Sequence, residues 1–311
     1  MASFLMQTIR EYTREMTNNG LPSFGAEIDP VQLRDQIEVA QATMPLQPGV
    51  TYESCELTGI EAELSIPSFA REDAIIMYMH GGGLVCGNAR TSRGYAGMVA
   101  GESRIPVYSF SYRLAPENPY PACKDDCFAA YQAVLKKHPD IPVCLIGESG
   151  GAYLCITTTL MARDAGIQMP AAVVLSSPII DFDTGAVDHT GYGYDEITVT
   201  VDGIRAISNC YVPDTTRRTE PLCSPIYADY TGFCPTYVAW DKGETLAADA
   251  EALVGKLLAA RVPVKYKRFE GCFHAFAPVG RNTPESSELL DDSIAFMLEH
   301  LHDQSFEDEE D

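Results

Sequence analysis

A serine flanked by glycines, Gly147-Glu148-Ser149-Gly150-Gly151, carries the strongest sign of covalent chemistry in this sequence. The apolar run 143–146 before it is typical of a buried strand, and the pattern over 150–165 is typical of a helix. A sharp turn between strand and helix strains the serine backbone and presents its hydroxyl as a nucleophile. The outer glycines avoid side-chain collisions there. A glycine-rich turn without chemistry is the alternative, but the flanking strand and helix favour the nucleophile.

A second glycine-rich sequence, His80-Gly81-Gly82-Gly83, follows the apolar run 74–79. Three consecutive glycines let the backbone come close to a bound group and aim N–H groups at it. Such donors stabilise the negative oxygen of a tetrahedral intermediate in acyl transfer. A flexible loop is the alternative interpretation, and we assign no proton chemistry to His80.

These two sequences belong to a regular alternation of short apolar runs and helical stretches. Strands are predicted at 74–79, 107–112, 143–146, 171–175, 236–239 and 264–269. Helices are predicted at 91–102, 121–137, 150–165, 245–261 and 284–300. Such alternation, with nearly continuous apolar strands, predicts an α/β fold in which a mostly parallel central sheet has helices on both faces. The serine would then stand at the carboxyl edge of this sheet.

Two regions break the alternation, and we predict that they form a small helical cap over one edge of the sheet. Residues 1–50 are helical and loop-like, and residues 183–222 are polar and rich in glycine and tyrosine, with a helical piece near 201–211. Neither region is large enough for an independent core, so 1–311 is predicted as a single domain.

The first sixteen residues predict an amphipathic helix rather than a signal peptide or a membrane span. No apolar run approaches the roughly 18 residues that a span requires. The residues spaced for one apolar face of this helix are Phe4, Leu5, Ile9 and Tyr12.

The charge balance is strongly acidic, with 44 Asp and Glu against 22 Lys and Arg and a formal net charge of -22. A surface of this sign repels nucleic acid and anionic membranes, so neither is expected as a partner. Part of the charge lies at 303–311, which we predict to be a disordered acidic tail.

The sequence contains ten cysteines, several of them inside apolar runs such as Val143-Cys144-Leu145. Free buried thiols in a reducing cytoplasm are the simplest interpretation, and we expect the protein to be cytoplasmic. Cys123 and Cys127 could share a helical face, but no second pair of ligands has the spacing of a zinc site. We therefore predict no metal.

Several strings, taken together and in order, resemble the hormone-sensitive-lipase family of α/β hydrolases, in particular its bacterial esterase branch. The resemblance spans roughly residues 70–300. The strings are His80-Gly81-Gly82-Gly83, Tyr112-Arg113-Leu114-Ala115-Pro116-Glu117 with Pro119 and Pro121-Ala122, Gly147–Gly151, Ser177-Pro178 with Asp181, and Gly271-Cys272-Phe273-His274-Ala275-Phe276. The resemblance implies the α/β-hydrolase fold.

The family resemblance also implies the roles of the site residues. The N–H groups of Gly82, Gly83 and Gly150 would form the oxyanion hole, and the chain order would be serine, acid, histidine. His274 matches the last place because it lies in a loop after the predicted strand 264–269, where it could take the serine proton. His189, in the predicted cap, is the only other candidate for a reactive histidine.

Two residues compete for the role of the acid. Aligned on the following helix, the family's usual aspartate falls on Glu244, whose carboxylate could orient the imidazole equally well. Asp241 is the rival, three residues earlier and nearer the strand end. The sequence also departs from the family on both sides of the nucleophile, with Glu148 in place of Asp and Gly150 in place of Ala.

The resemblance implies a serine carboxylesterase that hydrolyses short acyl esters, acetyl to about hexanoyl, through an acyl-enzyme and without metal or organic cofactor. An amidase or formamidase would use the same triad, and some relatives with a broken triad only bind small molecules. The expected partner is a small-molecule ester, and relatives are often homodimers.

Overall fold

Within the residues that the computed structural model describes, 2–19, 23–42 and 46–302, the chain forms one sheet with helices packed against it. Its strands are β1 Val50–Leu57, β2 Ile60–Pro67, β3 Ile75–Met79, β4 Val107–Phe110, β5 Val143–Glu148, β6 Ala172–Ser176, β7 Thr236–Asp241 and β8 Val264–Phe269. Their order in the sheet is β1-β2-β4-β3-β5-β6-β7-β8. Strands β3 to β8 are parallel, whereas β2 pairs antiparallel with both β1 and β4. The predicted tail at 303–311 lies outside the described residues.

Helices cover both faces of this sheet. Their bounds are α1 Phe4–Asn18, α2 Pro30–Ala42, α3 Arg93–Ser103, α4 Ala122–Lys137, α5 Gly150–Ala165, α6 Val201–Tyr211, α7 Ala247–Ala259 and α8 Pro284–His302. One apolar core contains Tyr131 of α4, Tyr153 of α5 and Leu253 of α7. The other contains Val99 of α3 and Met297 of α8. The predicted α/β architecture, with a mostly parallel sheet buried between two helical layers, is confirmed.

The hairpin of β1 and β2 is the part of the sheet that the apolar pattern did not predict. Its strands meet at a two-residue turn, with Leu57 opposite Ile60 and positive φ at both Thr58 and Gly59. Most side chains of β1 are exposed or half-buried. An edge strand of this kind lacks the continuous apolar run by which the central strands are recognised.

Helix α1 forms where predicted, but three of the four residues spaced for its apolar face are exposed to solvent. Phe4, Leu5 and Tyr12 are 80%, 53% and 64% exposed. Met6 and Arg10 are buried instead, and Arg10 pairs with Asp195. The packed face of α1 therefore combines Met6, which lies in the apolar core, with the ion pair from Arg10 to Asp195.

The two predicted cap regions contact each other. Phe24 forms a parallel bridge with Val199, in which the Phe24 N–H donates to Thr198 and the Thr200 N–H donates to Phe24, at 2.9 and 3.1 Å. Helix α6 follows directly, over the residues predicted. None of the described helices combines the length and apolar character that crossing a membrane requires.

Candidate active site

Ser149 occupies a strained turn between β5 and α5. Its φ of 55° and ψ of −121° lie in a region that non-glycine residues rarely adopt. The turn is tight on both sides, because a Cβ on Gly147 would lie 2.7 Å from the Gly151 carbonyl carbon, and one on Gly151 would overlap the Met79 carbonyl oxygen. The Ser149 N–H donates to the Ser176 carbonyl at 2.9 Å. The sequence predicted this geometry from the two glycines.

We expect Gly151→Ala to destabilise the protein by at least about 3 kcal/mol, because the new methyl meets backbone that cannot move aside. Gly255→Ala is the matched control. Gly255 lies in the exposed face of α7 with nothing within 4 Å of an added Cβ. That change should stabilise the protein by about 0.5 to 1 kcal/mol, since alanine is the better helix former. Urea unfolding measures the free energy of unfolding of both variants. Equal values would contradict the interpretation that backbone crowds the turn at Gly151.

The three glycines predicted to hold an oxyanion lie side by side. Gly82 and Gly83 have φ of 105° and 59°, and a Cβ on Gly150 would lie 3.3 Å from the backbone nitrogen of Leu84. Their N–H groups donate no hydrogen bond to any part of the chain that the structure describes. Gly150 is also the first residue of α5, where N–H groups are free and the helix dipole is positive. These N–H groups can therefore donate hydrogen bonds to an oxygen that carries a developing negative charge.

His274 links Ser149 to Glu244. Its Nε2 lies 2.9 Å from Oγ of Ser149, and its Nδ1 lies 3.3 Å from Oε2 of Glu244. All three side chains are buried. The same Oε2 accepts a hydrogen bond from Ser177 Oγ at 2.9 Å, and Ser177 in turn accepts from the Ala275 N–H at 3.1 Å. The carboxylate is thus held on the far side of the imidazole from the nucleophile.

Asp241 contacts the backbone instead of the imidazole. Its two carboxylate oxygens accept hydrogen bonds from the N–H groups of Gly243 and Cys272, at 2.9 and 2.8 Å. It therefore joins the loop that carries Glu244 to the loop that carries His274. Of the two acids that the sequence left open, Glu244 is the one beside the histidine.

His189 lies in a different cluster. Its Nε2 is 2.8 Å from Oδ2 of the buried Asp249, whose other oxygen accepts the Ile180 N–H at 2.9 Å. This pair joins the segment after β6 to α7 and makes no contact with Ser149. Among the described residues, no group of three or more His, Cys, Asp and Glu side chains is arranged to hold a metal ion.

Buried charges set the proton affinities in the site. Burial lowers the pKa of His274, but the Glu244 carboxylate beside it and the charges of Glu196 and Glu148 together outweigh burial, so the pKa of His274 lies above its ordinary 6.5. Burial raises the pKa of Glu148 to about 7, although the Gly81 N–H and the Tyr78 hydroxyl donate to it. The imidazole is therefore stabilised in the protonated form that a general base reaches after taking a proton.

Comparison with known proteins identifies the family of this fold. The family model for the α/β hydrolase fold matches residues 76–278, which include the serine turn, the glycine-rich loop and the histidine loop. The chain belongs to the α/β-hydrolase family. An acetyl-hydrolase of Streptomyces hygroscopicus is 30% identical over 292 residues, covering 92% of this chain and 95% of that protein.

Other relatives identify the branch of the α/β-hydrolase family. The hormone-sensitive lipase of Mus musculus is 34% identical over 122 residues, which are 37% of this chain and 16% of that protein. The crystal structure of an esterase from the bacterial hormone-sensitive lipase family superposes with a TM-score of 0.88 at 28% identity, covering 97% of this chain and 99% of that one. The resemblance stated from the sequence motifs is confirmed.

Two residues of this α/β hydrolase make site contacts that were not predicted from its sequence. Ser177 belongs to a quoted family string but was given no role, and it holds Glu244. Glu148 was noted only as a departure from the family pattern, and it accepts hydrogen bonds from Tyr78 and Gly81. A polar residue at the end of each neighbouring strand was the available signal, because such ends meet at one edge of a parallel sheet.

Proposed function

We propose that this carboxylic ester hydrolase cleaves small-molecule esters of short acyl chains through an acyl-enzyme on Ser149. The observation that carries the proposal is the arrangement of three side chains. Ser149 Oγ lies 2.9 Å from Nε2 of His274, and Nδ1 of His274 lies 3.3 Å from Oε2 of Glu244. Nucleophile, base and orienting acid in this arrangement define acyl transfer by covalent catalysis. The membership of a family that contains an acetyl-hydrolase and several esterases supports the same reaction.

Acylation begins when Ser149 Oγ bonds to the ester carbonyl carbon and its proton passes to Nε2 of His274. The carbonyl oxygen becomes negative and accepts hydrogen bonds from the N–H groups of Gly82, Gly83 and Gly150. The carbon–oxygen bond to the alcohol then breaks, and Nε2 returns the proton to the leaving alcohol. The acyl group remains as an ester on Ser149.

Water completes the reaction by the same route in reverse. It gives a proton to His274 as its oxygen bonds to the acyl carbon, and the second tetrahedral intermediate uses the same three N–H groups. Collapse breaks the bond to Ser149 Oγ, which recovers the proton from Nε2. Throughout, Glu244 keeps the imidazole in the tautomer that presents Nε2 to the serine and stabilises its positive charge.

The space beside the proposed oxyanion hole supports a short acyl group. A Cβ on Gly83 would lie 2.8 Å from the Phe24 ring and 3.1 Å from Ile207 Cδ1. These apolar side chains come from the two cap regions and close over the glycine-rich loop. We propose that they limit how long an acyl chain can extend past Gly83.

We therefore expect Phe24→Ala and Ile207→Ala to shift the preference toward longer acyl chains. Removing the half-buried Phe24 ring or the buried Ile207 side chain opens space for about two methylenes, each worth about 0.8 kcal/mol of binding, so kcat/KM on octanoate relative to butyrate should rise about tenfold. Phe69→Ala is the control, because Phe69 is 92% exposed. An unchanged ratio in both cap variants would contradict this assignment of the acyl site.

The proposed activity is tested with p-nitrophenyl acetate, butyrate, octanoate and laurate, together with p-nitroacetanilide. Turnover that is highest on the two shorter esters supports the proposal. Turnover of the anilide alone would place the chemistry with amides instead. No turnover of any of the five compounds would contradict the proposal.

A further inference from the structure

Glu148, the residue immediately before the nucleophile, is a buried carboxylate that the mechanism above does not use. It is 6% exposed at the end of β5, next to the end of β3 in the sheet. Its Oε1 accepts hydrogen bonds from the Gly81 N–H at 2.6 Å and from the Tyr78 hydroxyl at 2.8 Å. The side chain thus joins the nucleophile turn to the start of the glycine-rich loop.

Hydrogen bonds hold both polar backbone groups of Gly81. The Gly81 N–H donates to Glu148, and the Gly81 carbonyl accepts from Nδ1 of His80 at 2.7 Å. His80 itself is fixed by stacking on Tyr112, whose hydroxyl donates to the His80 carbonyl at 2.8 Å. The next residue is Gly82, so a backbone rotation at Gly81 would change the direction of the Gly82 N–H, the first of the proposed oxyanion donors.

We propose that Glu148 is a positioning residue for the oxyanion hole: by accepting the Gly81 N–H, it aims the N–H groups of Gly82 and Gly83 at the carbonyl attacked by Ser149. This inference rests on the proposed function. Because Glu148 directly precedes Ser149 in the chain, the residue that orients the donors is covalently linked to the nucleophile.

The length of the side chain and the surrounding space fit this role. A Cβ on Gly81 would lie 3.0 Å from both the backbone oxygen and Oε1 of Glu148, so side chain and loop are already in close contact. Behind them is a cavity of about 160 Å³, to whose lining Glu148, Tyr78, His80 and Tyr95 contribute. At Gly81 the loop is held by the hydrogen bond to Glu148, and one residue later the Gly82 carbonyl accepts from the N–H groups of Val85 and Cys86, both at 3.1 Å. In its ionised form Glu148 makes the hydrogen bond from Gly81 stronger than a neutral acceptor would.

The test compares two variants of matched length. Glu148→Gln keeps an oxygen that can accept the Gly81 N–H, whereas Glu148→Met removes the acceptor and fills a similar volume. Tyr95→Phe is the control, because it removes a hydroxyl from the same cavity and leaves both hydrogen bonds to Oε1 in place. Each variant is assayed for kcat and KM on p-nitrophenyl butyrate. Each is also assayed for inhibition by a trifluoromethyl ketone, whose adduct with Ser149 carries an oxyanion, and by butanol, which forms none.

We expect E148M to lower kcat by about 10- to 100-fold with KM within threefold, and to weaken the ketone by the same factor while butanol inhibition is unchanged. E148Q should stay within about fivefold of the wild type, and Tyr95→Phe within about twofold. If E148M does not fold, judged by near-ultraviolet circular dichroism, Glu148→Ala takes its place with the same expectation.

Three results would overturn the assignment. The first is a kcat for E148M within threefold of the wild type. The second is a loss that appears in KM and in butanol affinity rather than in ketone affinity, as a general disturbance of the pocket would cause. The third is an E148Q as damaged as E148M. A wild type without turnover would instead contradict the proposed function, so the two failures are distinguishable.

Discussion

Replacing Ser149 by alanine should lower kcat/KM on p-nitrophenyl butyrate by a factor on the order of 10⁴ or more. Without the serine hydroxyl no acyl-enzyme can form, so only the oxyanion donors and substrate binding can still contribute to catalysis. The fold should survive, because alanine removes one oxygen from a turn whose tightness depends on Gly147 and Gly151. The measurement is initial rate against substrate concentration, with thermal unfolding of the same samples.

Ser68→Ala is the control for the serine variant. Ser68 is exposed at the end of β2, away from the site, and its replacement should leave kcat/KM within about twofold. Hydrolysis by Ser149→Ala at a few per cent of the wild-type rate would place the nucleophile elsewhere.

The second large effect is expected from Glu244→Gln, which should lower kcat by a factor on the order of 10³ to 10⁴, by analogy with the loss of the orienting aspartate in other triads. Glutamine keeps the shape of the side chain but not its charge, and its amide can turn a donor toward Nδ1 of His274. That arrangement favours the imidazole tautomer that cannot take the serine proton.

Asp241→Asn is the matched control, since it changes the rival carboxylate in the same way. Asp241 accepts two backbone N–H groups and does not contact the imidazole, so we expect kcat within about tenfold and a modest loss of stability. A larger kcat loss in Asp241→Asn than in Glu244→Gln would reverse the assignment of the acid.

The residual activity of Glu244→Gln should also report the pKa of His274. The base must be neutral to accept a proton, so kcat/KM falls as the pH drops below that pKa. In the wild type the Glu244 carboxylate beside the imidazole helps to raise this acid limb above pH 6.5. Without the carboxylate, burial dominates and the limb should move to lower pH.

The central elements of the fold were predictable because burial on both faces leaves an unmistakable pattern. Strands β3, β5, β6 and β7 are buried along their whole length, and each was predicted to within two residues at both ends. The hairpin of β1 and β2 escaped because most of its outer strand is exposed or half-buried, and half-buried strands resemble loops in composition.

The face of α1 shows a second limit of pattern reasoning. Apolar spacing correctly indicated a helix, but Arg10 packs inward because a specific partner, Asp195, lies in a distant segment of the chain. Contacts between residues nearly two hundred positions apart depend on how the cap folds back over the sheet, which no local pattern contains.

The candidate site divides in the same way. Ser149 and the glycine-rich loop after β3 follow from local backbone requirements, so the motifs alone indicated them, whereas the roles of Gly82, Gly83 and Gly150 came from the family resemblance. The choice between Glu244 and Asp241 depended on which carboxylate reaches a histidine thirty residues later. The roles of Ser177 and Glu148 depended on which strand ends are neighbours: Glu148 is in register with Ser176, and β5 lies beside β3. The motifs therefore indicate the nucleophile, and the order of the strands in the sheet is needed to assign the residues that contact the site.

The most direct test of the account is to trap the acyl-enzyme. The wild type is mixed with p-nitrophenyl butyrate, quenched in acid within the first turnover, and analysed by intact mass and peptide mapping. We predict a single butyryl adduct on the peptide that contains Ser149, absent from Ser149→Ala, and formed more slowly in His274→Ala. An adduct on another residue, or one that persists in Ser149→Ala, would contradict the proposal that Ser149 is the nucleophile.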